Sequence, residues 1–564
     1  MSITLNVKWG KESFEISFIP SEGVSALKST LQSKTNVPID RMKLMPKSKG
    51  LWKGILKDDF DLSSIDYTKV NPQNPIQILL MGSAEKISGP KVQTVFIEDL
   101  PEEEAAKVAP EPSGLVNLGN TCYLNSVVQC LRTIPELRAG LNFAANRPTN
   151  GVAGGNGEVG KMLITTLKDL YNNLDRTTKP VQPTGFVMAT KLAFPQFAQT
   201  AANGAPMQQD AEEFYSGLLT NIANETRGAD VVKAAGLVKG DENDAKHLDS
   251  NSNLIDSIFG IEMEETYTCD ELESSGMELE GIQTEAAVVR HDLHRKLVCN
   301  IQGGSDSSAQ TNVTHIMEGI ELSLNGKVEK RSEVLGRDAI WTRKQRISKL
   351  PPVLAIQFGR FYWKETPDSQ DHAGVKCKVM KPVAFNGILD VYEFCTDKVQ
   401  KVLKKARDAA LAEEEDRIAK KLKGESESSS APESGENMEV DEEDEALKAA
   451  LAMSVQEDTN GNMDDAVLIG DGLPDDFQGK YELFAVVTHK GRDADGGHYM
   501  GWVKAESQSS SGQARKIADT DEDNDDWFVF DDDEVSPCAT EDVLKLKGGG
   551  DWHMSYLNFY RAKK

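Results

Sequence analysis

One cysteine lies where the local sequence favours a reactive thiol. Gly119 and Asn120 predict a turn, and either Asn120 or Thr121 is suited to cap the helix that follows. Cys122 then stands at the N-terminus of this helix, where free amides and the helix dipole favour a thiolate. Apolar residues recur at helical spacing over 124–131, so a buried structural cysteine at the start of a core helix is the alternative.

Other residues could complete a catalytic constellation with Cys122. A thiolate nucleophile needs a base that handles its proton, and an imidazole base needs an acceptor that fixes its tautomer. His498 follows two glycines, which let its side chain approach a cleft, and Asp531 ends the strand-like run 527–530. Asn117 precedes the cysteine and can donate to a tetrahedral oxyanion, a contact worth ~2.7–4 kcal/mol in the transition state. This combination predicts acyl transfer through a thioester.

Hydrophobic periodicity predicts the elements that position these side chains. The stretch 208–214 opens a helix whose apolar face continues to Ile222. The runs 481–489 and 498–504 flank a glycine-rich turn and predict a hairpin. Further strands are predicted at 255–259, 321–324, 350–358, 527–530 and 556–560.

The first part of the chain, residues 1–82, reads as a small α/β unit. Its predicted elements are a hairpin of Ile3–Trp9 and Ser13–Phe18, a helix over Ser21–Gln32 capped by Ser21, and strands at 42–45 and 76–80. This order resembles the ubiquitin fold, a β-grasp. Because the chain continues through Gly82 without a free Gly-Gly end, the resemblance implies a built-in ubiquitin-like domain. A generic β-grasp domain without a docking role is the alternative.

Two segments contain too few apolar residues to form a hydrophobic core. Residues 83–113 are rich in proline and acids and predict a linker. Residues 397–476 contain a charged helical stretch over Lys398–Lys423 and then a strongly acidic, serine-rich run, which predicts disorder.

Within this acidic insertion, residues 441–457 form an exception. An acidic run precedes Leu447, Ala450 and Ser454, which share one helical face. The pattern resembles a ubiquitin-interacting motif, in which the small alanine allows close approach of the partner. A short solvated helix is the alternative.

Composition limits the class of protein. The chain has 564 residues, which predicts two or more domains, and its net charge of −27 argues against binding to nucleic acid or to anionic membranes. Seven cysteines do not make a disulfide framework, and the N-terminus lacks a signal-peptide pattern. We therefore expect an intracellular, reducing compartment; these features leave cytosol and nucleus undecided.

Four stretches resemble, in order, the sequence boxes of the ubiquitin-specific protease family. They are the cysteine box at 114–125, the glutamine-aspartate box at 209–214, the histidine box at 497–499 and the aspartate box at 527–533. The resemblance covers roughly residues 114–562. It implies an α+β fold, with a papain-like thumb and palm and ubiquitin-gripping β-fingers, divided by the insertion into 114–396 and 477–564.

This resemblance also implies roles for the residues. It makes Cys122 the nucleophile, His498 the general base, Asp531 the orienting acid and Asn117 the oxyanion donor, with Asp532 as a secondary acid. The substrate is the isopeptide bond after the C-terminal Gly-Gly of ubiquitin. The residues expected to bind ubiquitin are Gln209, Asp210, Phe358 and Tyr499, together with Leu447, Ala450 and Ser454.

With its N-terminal domain, the chain is most similar to the proteasome-associated branch of that family. This similarity implies that residues 1–82 dock on the base of the 26S proteasome regulatory particle and that polyubiquitinated proteins are partners. It also implies a cytoplasmic and nuclear location. The loops 364–375 and 491–497 are expected to cover the channel for the ubiquitin tail, which gives low activity until the proteasome is bound.

The chain departs from many family members in one respect. Those members carry two Cys-x-x-Cys pairs that bind zinc, but here the corresponding cysteines stand singly, so we predict no structural zinc and no other cofactor. His291 and His294 are interpreted as residues of a surface helix and not as a metal pair. The single cysteines are Cys269, Cys299, Cys377 and Cys395.

Two other functions are compatible with parts of this pattern. A non-catalytic ubiquitin-binding adaptor of the proteasome would combine the docking domain with a decayed protease fold. The complete set of Asn117, Cys122, His498 and Asp531 disfavours decay. An ordinary papain-like peptidase is disfavoured by the order of the boxes and by the missing secretory segment.

Overall fold

The computed structural model divides into two compact units, residues 1–96 and 97–564. The described residues are 2–67, 76–82, 100–108, 111–147, 156–238, 248–273, 287–302, 312–364, 375–427, 470–492, 496–505, 526–550 and 552–563.

The N-terminal unit is a four-stranded sheet covered by one helix. Its elements are β1 (Ile3–Trp9), β2 (Glu12–Phe18), α1 (Gly23–Thr35), β3 (Lys43–Pro46) and β4 (Ile76–Met81). The strand order is β2-β1-β4-β3, with β1 and β4 parallel, and its own buried core includes Leu5, Leu27 and Ile78. This unit is a ubiquitin-like domain. The predicted cap is wrong, because Ser21 lies in a short 3-10 turn and the residue before α1 is Glu22.

The larger unit begins with a layer of helices. They are α2 (Glu102–Val108), α3 (Cys122–Arg132), α4 (Pro135–Asn146), α5 (Asn156–Leu174), α6 (Thr184–Ala193), α7 (Ala211–Glu225), α8 (Ala229–Ala234) and α9 (Leu254–Phe259). Later helices are α10 (Asp270–Glu273), α11 (Ile316–Leu324), α12 (Asp397–Glu427) and α13 (Thr540–Leu544). Helix α3 is buried along its whole length.

The strands of this unit build two sheets and one separate hairpin. In chain order they are β5 (Ile261–Cys269), β6 (Val288–His294), β7 (Leu297–Cys299), β8 (Asn325–Arg331), β9 (Asp338–Lys349), β10 (Val353–Phe358), β11 (Phe361–Lys364), β12 (Val375–Lys378), β13 (Ile388–Asp390), β14 (Lys480–Lys490), β15 (His498–Lys504), β16 (Asp526–Asp531), β17 (Glu534–Ala539) and β18 (Met554–Ala562). The large sheet has the order β17-β16-β15-β14-β18-β10-β7, with β13 paired to β14. The second sheet is β6-β5-β9-β8, and β11 pairs with β12.

Helix α3, which begins with Cys122, packs directly on the large sheet. Gly501 of β15 faces the helix, and a Cβ at this position would come within 3.1 Å of the carbonyl oxygen of Ser126. Glycine therefore permits the close approach of helix and strand. The core between them joins α3 residues such as Val127 and Leu131 to β14 and β15 residues such as Val487 and Val503. This packing places the start of α3 beside the start of β15.

The structure corrects three secondary-structure predictions. The runs 255–259 and 321–324 were expected as strands, yet they belong to α9 and α11. The periodicity of a short apolar run does not distinguish a buried strand from a buried helix. Here a capping side chain favours the helix, because Asn253 caps α9 and His315 forms a capping box with α11. The pair His291 and His294 lies on strand β6 and not on a helix.

The predicted linker 83–113 contains helix α2, which the sequence analysis did not expect. Ala105 and Ala106 of this helix are buried, and Glu102 accepts from the hydroxyl of Thr177 at 2.6 Å. Residues 83–99 and 109–110 lie outside the described part of the chain.

The start of the acidic insertion belongs to the folded core. Helix α12 confirms the predicted helical stretch, but Val399 and Leu403 are fully buried. Arg407 donates to the carboxylate of Asp390 at 2.6 Å and to the carbonyl of Gln478 at 2.8 Å. The first turns of α12 therefore pack against the end of the large sheet, while residues 428–469 lie outside the described part of the chain.

No helix within the described residues is both long enough and apolar enough to cross a membrane.

Arg360 is the most deeply buried arginine among the described residues, and we predict that its loss is strongly destabilising. It is 0% exposed, and its guanidinium donates to four carbonyl oxygens. The acceptors are those of Ser555, Val379, Lys381 and Lys547, at 2.6 to 3.3 Å.

An Arg360→Met variant leaves these carbonyls without donors, so the free energy of unfolding should fall by about 3–5 kcal/mol. Arg360→Lys should lose less, because it keeps one donor group. The measurement is urea denaturation of the larger unit, residues 97–564. Arg417→Met, which removes an exposed ion pair with Glu414, is the control and should change the value by less than about 0.5 kcal/mol. Equal stability of the Arg360→Met and wild-type proteins would contradict this assignment.

Candidate active site

The turn before α3 presents Cys122 at the helix N-terminus, as predicted. Gly119 and Asn120 both have positive φ angles, 94° and 54°. Thr121 precedes the helix, but its hydroxyl makes no cap bond and instead accepts from the backbone N–H of Leu118 at 2.9 Å. Cys122 is 2% exposed, so only a narrow approach to the sulfur is open.

The structure brings His498 and Asp531 to this cysteine. His498 opens β15 and Asp531 ends the neighbouring strand β16. The Nε2 atom of His498 lies 2.6 Å from Oδ1 of Asp531, which leaves Nδ1 for the sulfur. The hydrogen bond with Cys122 and then that with Asp531 raise the pKa of His498 to about 9, against the opposing effect of burial. The His498 ring is therefore in its protonated, imidazolium form at neutral pH.

Asp532 holds the site together from its other side. Its φ angle is 54°, in the left-handed region. Its carboxylate accepts from the side-chain amides of Asn117 and Asn125, both at 2.8 Å, and lies 3.9 Å from Nε2 of His498. Asp532 is thus the second carboxylate near the imidazole, at a longer distance than Asp531.

Asn117 makes its hydrogen bonds within the turn before α3 and with Asp532. Its Oδ1 accepts from the backbone N–H groups of Gly119 and Thr121 at 3.0 and 3.2 Å. Its Nδ2 donates one proton to Asp532 and has a second N–H available. The oxyanion role of Asn117 stays a prediction.

A glutamine that the sequence analysis did not select reaches the nucleophile. The Nε2 atom of Gln208 lies 3.4 Å from the sulfur of Cys122 and donates to the carbonyl oxygen of Gly497 at 3.0 Å. The sequence analysis named the adjacent Gln209, and only as a residue that binds ubiquitin; that role stays a prediction. The order of two neighbouring glutamines gives no signal for which one faces a cleft, because both precede the helix cap.

Asp210 has a structural role beside this glutamine. Its Oδ1 caps α7 through the N–H of Glu212 at 2.8 Å and accepts from the hydroxyl of Tyr556 at 2.7 Å. Lys376 of β12 lies 3.6 Å from its Oδ2. The segment that carries Gln208 is therefore fixed to both β18 and the hairpin β11–β12.

Two of the residues expected to contact ubiquitin are buried. Phe358 is 0% exposed and packs against Phe385, and Tyr499 is 3% exposed between other aromatic rings. The structure thus gives these side chains a packing role, and it leaves neither ring exposed for a partner. The other expected contacts, Leu447, Ala450 and Ser454, lie outside the described residues.

The two loops expected to cover the ubiquitin-tail channel are described only at their ends. Residues 365–374 of the first loop and 493–495 of the second lie outside the described part of the chain. Their role in limiting activity stays a prediction.

Metal-ligand geometry within the described residues is limited to the catalytic groups. His498, Asp531 and Asp532 offer ligand atoms within 4.8 Å of one another, and these atoms are already engaged in the hydrogen bonds above. His291 and His294 stand three residues apart on a strand, so their side chains point to opposite faces and cannot share an ion. The predicted absence of a structural zinc remains a prediction.

The comparisons with known proteins agree with this site. The family model described as ubiquitin carboxyl-terminal hydrolase matches residues 113–560. An Arabidopsis thaliana protein named ubiquitin carboxyl-terminal hydrolase 6 is 32% identical, with 99% of each chain covered. A Schizosaccharomyces pombe protein of the same name is 30% identical over 100% of this chain and 99% of its own. A Caenorhabditis elegans protein named ubiquitin carboxyl-terminal hydrolase 14 is 26% identical over 99% of this chain and 93% of its own.

A cysteine at a helix N-terminus, facing a histidine and an aspartate on adjacent strands, defines a papain-like thiol hydrolase. The chain belongs to the ubiquitin carboxyl-terminal hydrolase family, and it is a cysteine-type deubiquitinase with ubiquitin as its substrate.

The charge of His498 should depend on Cys122. In a Cys122→Ala variant the pKa of His498 should fall from about 9 toward its ordinary 6.5, because the largest cause of the shift is removed. Asp531→Asn should lower it less. Histidine titration followed by NMR measures both. His489 is the internal control, since burial lowers its pKa to about 3 and it should stay neutral in all variants. An unchanged titration of His498 in the Cys122→Ala protein would refute the pairing.

Proposed function

We propose that this deubiquitinase trims ubiquitin from proteasome-bound conjugates by cleaving the isopeptide bond after the C-terminal glycine of ubiquitin. The observation that carries the chemistry is the contact of His498 with Asp531 at 2.6 Å, with Cys122 at the other side of the ring. Such an arrangement supplies a nucleophile, a proton carrier and an orienting carboxylate.

In the proposed reaction Cys122 gives its thiol proton to His498, and the sulfur attacks the glycine carbonyl carbon while the carbonyl electron pair moves to oxygen. This pair then returns to restore the carbonyl. His498 gives its proton to the departing lysine amine as the C–N bond breaks, and a thioester remains. A water then passes a proton to His498 and attacks the thioester, the C–S bond breaks, and free ubiquitin leaves. Asp531 keeps the imidazole in one orientation throughout.

Side-chain amides support the oxyanion in this proposal. Asn117 is the predicted donor, and its position is fixed by its bond to Asp532. Gln208, at 3.4 Å from the sulfur, is proposed as a second amide donor. Donors that are already oriented before the reaction stabilise the developing charge without the cost of reorganisation.

A ubiquitin probe with an electrophilic C-terminus should form a covalent adduct with the wild-type protein and none with Cys122→Ala. His498→Ala should slow adduct formation by about 10²–10⁴-fold, because the proton carrier is lost. Mass spectrometry of the intact protein measures the adduct. Cys538→Ala removes a different cysteine, one that is partly exposed, and this variant should react as the wild type does. An adduct on the Cys122→Ala protein would show that another residue is the nucleophile.

The proposal further assigns the ubiquitin-like domain to docking on the base of the proteasome regulatory particle. The support is the resemblance of its fold and the match to full-length relatives over 99% or more of this chain. We place the protein in cytoplasm and nucleus on the same basis. The loops 364–375 and 491–497 are proposed to limit activity in the free enzyme, and residues 441–457 to bind ubiquitin on the substrate chain.

Turnover of a fluorogenic ubiquitin substrate should rise by at least about tenfold when purified proteasome is added, since release of a covered channel removes a barrier of about 1.4 kcal/mol or more. A chain that begins at residue 97 should show the low basal rate without this rise. The core of the N-terminal unit contains only residues of that unit, so its removal leaves the catalytic core complete. Equal rates with and without proteasome would contradict the proposed autoinhibition.

A further inference from the structure

Two polar side chains near the catalytic histidine, the partly buried Lys378 and the buried His489, have no part in the reaction described above. Lys378 ends strand β12, and His489 lies near the end of β14. The Nζ atom of Lys378 lies 2.6 Å from Nδ1 of His489, 3.2 Å from its carbonyl oxygen and 2.8 Å from the carbonyl oxygen of Gly491. An ammonium has three protons, and here each has an acceptor.

The second ring nitrogen of His489 fixes the tautomer. Nε2 lies 3.0 Å from the carbonyl oxygen of Gly496, which can only accept, so Nε2 carries the proton. Nδ1 is then free to accept from Lys378. The ring packs between Phe361, at a centroid distance of 5.3 Å, and Tyr499, at 4.6 Å, and these two rings restrict its orientation.

The backbone held by this ring leads directly to the catalytic histidine. Gly497 separates Gly496 from His498 and has a φ angle of 108°. A Cβ at Gly497 would come within 2.7 Å of the His489 ring, so the backbone lies directly against the imidazole. The carbonyl oxygen of Gly497 accepts from Gln208 at 3.0 Å. The two residues before His498 are therefore fixed from both sides.

We propose that Lys378 and His489 form a positioning pair for the catalytic histidine. Lys378 orients the His489 ring, the ring holds the Gly496 carbonyl, and the direction in which His498 leaves the backbone follows from that hold. The proposal rests on the catalytic role of His498 proposed above. It also makes hairpin β11–β12, which carries Lys378, a structural support of the active site.

The energetics of Lys378 favour a positional role over a stabilising one. Burial, and then the charge of Arg360, lower the pKa of Lys378 to about 7. Within the described residues it makes no ion pair with a carboxylate, since the neighbouring carboxylate of Asp210 faces Lys376. A partly buried cation without a counter-ion gains little for the stability of the fold. What it supplies here is three directed hydrogen bonds.

The test compares Lys378→Met with the wild-type full chain in ubiquitin-substrate hydrolysis. Loss of the pair should lower kcat/KM by ~10–100-fold, mainly through kcat, since a displacement of about 1 Å of a catalytic group costs up to about 10²-fold. The pKa of His498 should fall from about 9 toward 6.5 as its contacts loosen. The midpoint of thermal unfolding should change by less than about 3 °C, because the loss of the hydrogen bonds is offset by relief of the desolvation of the charge.

Variants of the partner residue separate geometry from charge. His489→Gln keeps an acceptor for Lys378 and a donor for Gly496 and should retain most of the activity. His489→Phe keeps the ring but loses both bonds, so it should match Lys378→Met, and the double variant should lose no more than either single variant. Lys381→Met, three residues further along the chain, is the matched control and should react at the wild-type rate.

Two results would overturn the positioning role. One is wild-type kcat/KM and an unchanged His498 titration in both the Lys378→Met and His489→Phe proteins. The other is a lower midpoint of thermal unfolding combined with wild-type kcat/KM and a wild-type His498 titration at temperatures where the variants are folded. This result would show that the pair stabilises the fold and does not position His498. If instead His498→Ala keeps full activity, the proposed catalytic function fails first, and this outcome is distinguishable from the other two.

Discussion

The contact between the cysteine-bearing turn and the end of strand β16 is the constraint on which the active site depends. The backbone N–H of Leu115 donates to the carbonyl oxygen of Asp532 at 2.8 Å, and the carboxylate of Asp532 accepts from Asn117 and Asn125. The two segments approach so closely that a Cβ at Gly114 would lie 2.6 Å from the carbonyl oxygen of Asp533, and this makes glycine necessary at position 114. Two parts of the chain more than 400 residues apart in sequence are joined by these bonds, and the reacting groups stand on either side of the joint.

The two adjacent carboxylates of Asp531 and Asp532 contact different groups because the backbone turns at Asp532. Asp531 ends a strand and faces His498, whereas the positive φ of Asp532 directs its side chain to the amides of the opposite turn. One carboxylate thus contacts His498, while the other holds the turn and helix that carry Cys122. The sheet and α3 hold both relationships by packing, with Gly501 allowing the helix to approach. All seven cysteines are free, so this joint depends on hydrogen bonds and packing without a covalent link.

The sequence predictions succeeded where the structure depends on clear patterns among neighbouring residues and failed where the pattern is short or the structure depends on contacts between distant segments. The helix at Cys122, the hairpin of β14 and β15 and the ubiquitin-like unit depend on local turns and on period, and the structure has them. The runs 255–259 and 321–324 are helices because a cap from a preceding side chain outweighs a short apolar run. The choice between Gln208 and Gln209 depends on which side chain faces a cleft built by distant elements, so no local pattern contains it.

The amino-acid sequence by itself determined the two-unit organisation, the class of chemistry and the residues Cys122, His498 and Asp531, because these are properties of residue type, order and local periodicity. Only the tertiary structure decided which side chains hold those residues in place. Asp532 between two amides, Gln208 on the sulfur and Lys378 against His489 are contacts between segments distant in sequence. Their distances and directions arise when the sheet and the helices pack, and a linear pattern of residue types carries no such information.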